Sequence, residues 1–221
     1  MIIEGLILYG LYRLGKAVLD ESNSNIAKNN STSTSPPTKA IVLAGRTGVG
    51  KSSTANALMG FPAFEVGSTH GTTTGVIERE YRNGYGLRDT PGLLDEIDYS
   101  QLVLEVVKHS EIVIYTTVGQ LYRKELEFIQ IVSQSQPIWD SQSNTLTRRK
   151  LALFVNQQDV AETTKPTRAR EVEKQAVLEQ VSSYIIRENI LFGSASPRRN
   201  GVRKAPQITE LQGFLNKHIN L

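Results

Sequence analysis

"GRTGVGKSS", residues 45–53, follows directly on the apolar run Ala40-Ile41-Val42-Leu43-Ala44. Gly45, Gly50, Lys51 and Ser52 satisfy the spacing G-x-x-x-x-G-K-[ST], in which each residue type has a physical task. The glycines, Gly48 among them, let backbone amides turn inward toward phosphate oxygens, and a helix starting at Lys51 aims its positive dipole end at the same anion. Lys51 neutralises terminal phosphates, the Ser52 hydroxyl can ligate Mg²⁺, and Ser53 completes the cradle. An ordinary glycine-rich turn is the bland alternative. The placement between a strand and a helix, which the chemistry requires, argues against it.

Outward from this stretch, short apolar runs alternate with longer amphipathic ones, the mark of βα units around a largely parallel sheet and hence of an α/β fold. The pattern predicts six strands, at Ala40–Ala44, Val76–Tyr81, Tyr85–Arg88, Glu111–Thr117, Leu151–Val155 and Ile190–Phe192. The second and third flank Arg82-Asn83-Gly84, where an Asn-Gly pair suits a tight hairpin, so one edge strand is expected to be antiparallel. Helices are expected on both faces, at Lys51–Met59, Tyr99–Lys108, Tyr122–Ser133, Arg168–Ser183 and Ile208–Ile219, with Tyr122, Leu126 and Ile129 forming an inward face of the third. The polar segment from Ser133 to Lys150, which holds the only Trp, reads as a long connection without an assigned role.

The chain of 221 residues is 39% hydrophobic, enough for one globular unit with an appendage. The surplus of 25 Lys and Arg over 22 Asp and Glu is too small to argue a nucleic-acid partner. The absence of Cys excludes disulfides, Cys-ligated zinc and thiol catalysis. Residues 1–20 are rich in Ile, Leu and Tyr, but Glu4, Arg13 and Lys16 interrupt them, so neither a spanning helix nor a secretory signal is expected. As a helix this stretch sets Ile7, Leu11, Leu14 and Val18 opposite Arg13, Lys16 and Asp20, which suits a membrane surface or a partner helix; packing onto its own domain is an equal alternative. Residues 21–38 lack large apolar groups and read as a flexible polar linker, leaving 39–221 as the nucleotide-binding domain.

Further groups fall at the ends of later strands, where ligands of open α/β sheets bind. "RDTPGL" places Asp89 to hold Mg²⁺ and Gly92 to offer its amide to a γ-phosphate. "LALFVNQQD" ends in Asn156 and Asp159, and "LFGSAS" in Ser194 and Ala195. With these motifs in this order, residues 40–221 resemble the translation-factor class of small P-loop GTPases. The resemblance implies a Ras-like G domain that binds GTP or GDP with Mg²⁺ and hydrolyses GTP. It implies that Asp159 accepts hydrogen bonds from guanine N1 and N2, that Asn156 braces the base side, and that the Ala195 amide meets O6. It also implies a switch threonine in "STHGTTTGV" that closes onto Mg²⁺. Thr73 is the first choice and Thr72 the second, with Thr69 and Thr74 nearby.

The chain departs from the family pattern at three positions. Gln157 replaces the Lys whose stem covers the base, so affinity should suffer more than specificity. Leu93 stands where Ras-like enzymes carry a water-positioning Gln, so unaided hydrolysis should be slow. Gly48 replaces the Asn of potassium-activated members, so potassium dependence is not expected by that route. His70, in the switch loop, could orient water, although an exposed loop histidine is the more frequent case. His109 and His218 read as structural or exposed.

The wording of the motifs is closest to septin-like, chloroplast-import-like and immunity-associated GTPases, several of which act at membranes and pair through nucleotide faces. The resemblance thus implies a homodimer, and a cytoplasmic protein attached peripherally to a membrane. Basic clusters at Arg148-Arg149-Lys150 and at Arg198, Arg199, Arg203 and Lys204 keep RNA or anionic lipid open as partners, with a solvated surface the simpler account. A non-catalytic GTP/GDP-binding scaffold is the alternative function. An ATP-dependent nucleotide kinase would share the phosphate loop but leave Asn156, Asp159 and Ser194-Ala195 without a task.

Overall fold

The computed structural model describes residues 39–67, 73, 75–93, 99–135, 138–140, 145–147, 150–199 and 201–219. The readings of residues 1–38, of His70, of Thr69, Thr72 and Thr74, and of Arg148 and Arg149 lie outside these described residues.

β1 (Lys39–Ala44) is uniformly apolar after its first residue and is buried on both faces, as a central parallel strand must be. It lies between β3 (Tyr85–Asp89) and β4 (Ile112–Thr117), parallel to both. β7 (Lys150–Val155) continues the parallel run beyond β4, and β8 (Ile190–Phe192) closes that side. β2 (Ile77–Glu80) pairs antiparallel with β3 at the other edge, giving the order β2-β3-β1-β4-β7-β8. The turn between β2 and β3 holds Asn83 at φ 53° and Gly84 at φ 74°, the two positive angles that the Asn-Gly pair predicts. The sheet is therefore six-stranded with one antiparallel edge strand.

Alternation along the central strands divides the core between the two faces. Val42, Val113, Tyr115, Leu153 and Val155 face α2 (Ser100–Lys108), α3 (Arg123–Gln134) and α5 (Thr167–Val181). Ile41, Leu43, Ile114 and Phe154 face α1 (Lys51–Met59) and α6 (Thr209–Ile219). Ile41, Leu43, Ile114 and Leu153 have no accessible surface, and burying each contributes about 1.5–3 kcal/mol. Because β1, β3, β4, β7 and β8 run parallel, their carboxyl ends and the loops after them gather at one edge of the sheet.

The inward face of α3 keeps Ile129, which is buried, and Leu126, which packs partly buried against the core, but not Tyr122. Tyr122 is 61% exposed and caps the helix, while Glu125, Phe128, Ile129 and Val132 are the buried residues. The segment read as a connection after α3 contains a short antiparallel pair, β5 (Ile138–Asp140) with β6 (Thr145–Thr147). Further elements that were not expected are α4 (Gln158–Thr164), the 3-10 turn Arg187–Asn189, and the two-residue strands β9 (Arg198–Arg199) and β10 (Val202–Arg203), which pair. Among the described residues, no helix is long and apolar enough to cross a membrane.

Candidate functional site

A cleft of ≈ 400 Å³ opens at the carboxyl edge of the sheet. One wall is the loop between β1 and α1. Gly45 has φ 143°, and a Cβ there would collide with the Thr116 carbonyl; Gly50, at φ 92°, would drive a Cβ into the Asn156 amide. Both positions require glycine because the loop packs against its neighbours while turning into α1. Gly48, Gly50, Lys51, Ser52 and Ser53 all line the cleft. Lys51 is 7% exposed, and its Nζ donates to the Arg46 carbonyl at 3.0 Å, so the ammonium is folded over the loop at the helix N-terminus.

Three oxygen-bearing side chains meet beside this loop. Ser52 Oγ donates to Asp89 Oδ2 at 2.6 Å, and Thr73 Oγ1 donates to the same oxygen at 3.4 Å. Asp89 has no accessible surface, and its Oδ1 is buried without a hydrogen-bond partner. Burial pushes its carboxyl above the ordinary 3.8, against the opposing pull of Ser52, the Lys51 charge and Thr73. A buried carboxylate flanked by two hydroxyls is the donor set that a hard divalent cation takes.

Gly92 also lines the cleft. Leu93, the next residue, is 2% exposed and packs into the core, and its N–H donates to the Gly45 carbonyl at 3.0 Å. Its side chain therefore fills the core and carries no group that could orient water.

The far wall comes from the ends of β7 and β8. Asn156 is 3% exposed, and its Nδ2 donates to the Val49 carbonyl at 2.9 Å. The Ala195 N–H donates to Asn156 Oδ1 at 2.9 Å. Asn156 thus ties the phosphate loop to the last strand end. Asp159 lines the cleft from the first turn of α4; its N–H donates to Ser194 Oγ at 2.9 Å, and its Oδ2 accepts the Arg198 N–H at 3.0 Å. Gln157 holds a left-handed conformation, φ 59°, and lines the cleft beside Val160 and Ser196.

Sequence reasoning therefore names Lys51, Ser52, Thr73, Asp89, Gly92, Asn156 and Asp159, and the structure brings them to one edge. His109 is exposed at the end of α2, and His218 lies edge-on to Phe214, 4.7 Å between ring centres, on α6. Sequence reasoning missed Val66 and Gly67, which line the cleft from the loop after α1, and Ser196. Ser196 was legible as the residue that follows Ser194-Ala195. Val66 and Gly67 belong to no motif.

Residues 40–139 match the family model described as a 50S ribosome-binding GTPase. No curated protein matches the chain at a significant level. Among solved structures, a probable GTP-binding protein engB is 19% identical with a TM-score of 0.51, covering 81% of this chain and 98% of its own. A structure of the chloroplast translocon components atToc33 and psToc159, for which dimerisation is reported as important for GTPase activity, is 14% identical with a TM-score of 0.55 and covers 94% and 91%. Aquifex aeolicus Era bound to GDP.AlF4- is 15% identical with a TM-score of 0.49, and this chain spans 50% of its length. At such identities the first two establish the shared fold.

Proposed function

We propose that this chain is a small P-loop GTPase of the translation-factor class, a Mg²⁺-dependent guanine-nucleotide switch whose unaided hydrolysis is slow, a reading supported by the family-model match over residues 40–139. The observation that supports this most is the convergence of Lys51, Ser52, Thr73, Asp89 and Asp159 on one cleft. Lys51 and the inward amides of the loop neutralise the β- and γ-phosphates, and the Gly92 amide meets the γ-phosphate. Asp159 accepts from guanine N1 and N2. The amide that meets O6 is assigned to Ser196, because the Ala195 N–H is already given to Asn156 and Ala195 is fully buried. With Leu93 turned into the core, the water-orienting group must come from elsewhere, His70 or a second molecule. A water-orienting residue supplied by a second copy across this cleft would make hydrolysis faster on pairing.

The donor set beside the phosphate loop fits Mg²⁺, with Ser52, Thr73 and Asp89, directly or through water, as the residues that would hold it. When bound, the ion supplies charge neutralisation to the phosphate oxygens. Its presence is testable through Asp89. An acid whose pKa is raised on folding contributes stability that is complete below its unfolded pKa and is lost as pH rises through the folded value. Metal-free protein should therefore lose the Asp89 contribution as pH climbs above 3.8 through the raised pKa. Mg²⁺ with GDP should raise Tm more on the alkaline side of that raised pKa than on its acid side, where protons compete for the carboxylate. An equal gain at both, or the same gain in Asp89→Asn, removes Asp89 from the metal site.

Dimeric activation has its own test. The single-turnover rate of GTP hydrolysis should rise with protein concentration as pairs form. A flat, measurable rate removes the dimer from the proposal, and no turnover at any concentration favours a GTP-binding scaffold.

Peripheral membrane attachment through residues 1–20 rests on their apolar and basic faces. Full-length protein should co-sediment with anionic liposomes and a fragment of residues 37–221 should not. Identical partitioning discards the anchor.

A further inference from the structure

Arg46 is the second residue of the phosphate loop, yet its guanidinium turns to α3 and does not line the cleft. Its Nε lies 3.1 Å from Glu125 Oε2, an ion pair by charge and distance without hydrogen-bond alignment, and the Glu125 side chain has no exposed surface. The same Glu125 oxygen accepts the Tyr122 N–H at 2.9 Å, and Oε1 accepts the Tyr115 hydroxyl at 3.1 Å. The Tyr122 ring lies under the Arg46 guanidinium, 4.6 Å from its centre, on the outer side of the pair. Burial, reinforced by the Glu125 charge, holds the Tyr115 hydroxyl protonated well above the ordinary phenol range, so it remains a donor to Glu125. Stability alone is a weak account of such a cluster, since an apolar pair of similar shape often serves as well or better.

The backbone of Arg46 supplies another role. Its carbonyl accepts the Lys51 Nζ at 3.0 Å. Its main chain forms a parallel bridge with Leu93, whose N–H donates to Gly45 at 3.0 Å. Leu93 immediately follows Gly92, which lines the cleft. One residue is thus ion-paired to α3 through its side chain, accepts the loop lysine on its carbonyl, and sits at the bridge where its neighbour Gly45 accepts from the segment bearing Gly92.

We propose that Arg46 and Glu125 are positioning residues that set discrimination of the γ-phosphate. By pinning Arg46, the pair fixes Gly92 relative to the phosphate loop before nucleotide arrives. The inference rests on the nucleotide reading above and adds to it a pair that touches neither nucleotide nor metal. Loosening the pair should weaken a triphosphate, which needs the Gly92 amide, more than a diphosphate, which does not.

The test uses full-length Arg46→Met, Glu125→Gln and the double variant Arg46→Met with Glu125→Leu. Affinities for GDP and for a non-hydrolysable GTP analogue, both with Mg²⁺, are measured beside Tm. Each single variant should lose about tenfold in analogue affinity and less than about threefold for GDP. The double variant, with its apolar pair, should regain Tm without regaining analogue affinity. Variants that lose Tm but keep the wild-type ratio of the two affinities, or a double variant that recovers the ratio, overturn the proposal. If the single variants do not fold, the double variant decides alone. A wild-type protein that binds neither nucleotide overturns the functional reading and this inference together, whereas a wild type that binds both with variants that match its ratio overturns the inference only.

Discussion

Replacing Asp159 by Asn should reverse the base preference of the cleft, with GDP affinity falling about a hundredfold and xanthosine diphosphate becoming the better ligand by a similar factor. Guanine presents two donors, N1–H and the N2 amino group, to a carboxylate that has only acceptors. The amide of Asn puts a donor against one of them, while xanthine offers an oxygen at that position. Asp159 is well placed to show this cleanly. Its backbone N–H is held by Ser194 and one carboxylate oxygen by the Arg198 amide, so the side chain is oriented before ligand arrives. The phosphate half of the cleft lies on other elements, and binding of inorganic phosphate chains should not change. Competition titrations with GDP, xanthosine diphosphate and ADP read the result. Unchanged preference in the variant would mean that the first turn of α4 does not face the base.

Lys51→Met should lower single-turnover GTP hydrolysis about a thousandfold, the loss expected when a charge clamp aimed at a transferring phosphoryl group is removed. The methionine keeps the length of the stem that the buried site accommodates, so the effect belongs to the ammonium. Stability is read separately, because the ammonium also donates to the Arg46 carbonyl and interacts with the Asp89 carboxylate in the absence of nucleotide. Thermal unfolding without nucleotide separates the two effects. A variant that loses both rate and Tm would point to a folding defect and leave the clamp role unsupported.

Much of this arrangement was legible because its signals are local. A strand, a glycine-rich turn and a helix must follow one another in sequence, and Asp89, Asn156 and Ser194 each sit at the end of an apolar run. What escaped were elements without a buried stripe. None of the seven residues of α4 is buried, so no apolar periodicity marks it. The β5–β6 pair lies in a polar segment whose composition suggests a connection. Glu125 shows a different limit. A charged residue on the inward side of α3 reads as an exception to the pattern until Arg46, far away in sequence, is found against it. The same pairing explains why Tyr122, apolar and correctly spaced, faces outward over the Arg46 guanidinium. Asn156, expected to brace the base side, joins the Val49 carbonyl to the Ala195 amide through its side chain. That contact is the ground on which the O6 donor is proposed to be Ser196 in place of the expected Ala195.

The central claim is that this cleft reads guanine, and equilibrium binding of GDP and ADP, each with Mg²⁺, to the full-length wild-type protein tests it most directly. The account predicts a preference for GDP of about a hundredfold or more, since adenine meets Asp159 with its donor pattern reversed. Equal affinity for ADP would contradict it and reduce the cleft to a phosphate-binding loop with no base reader.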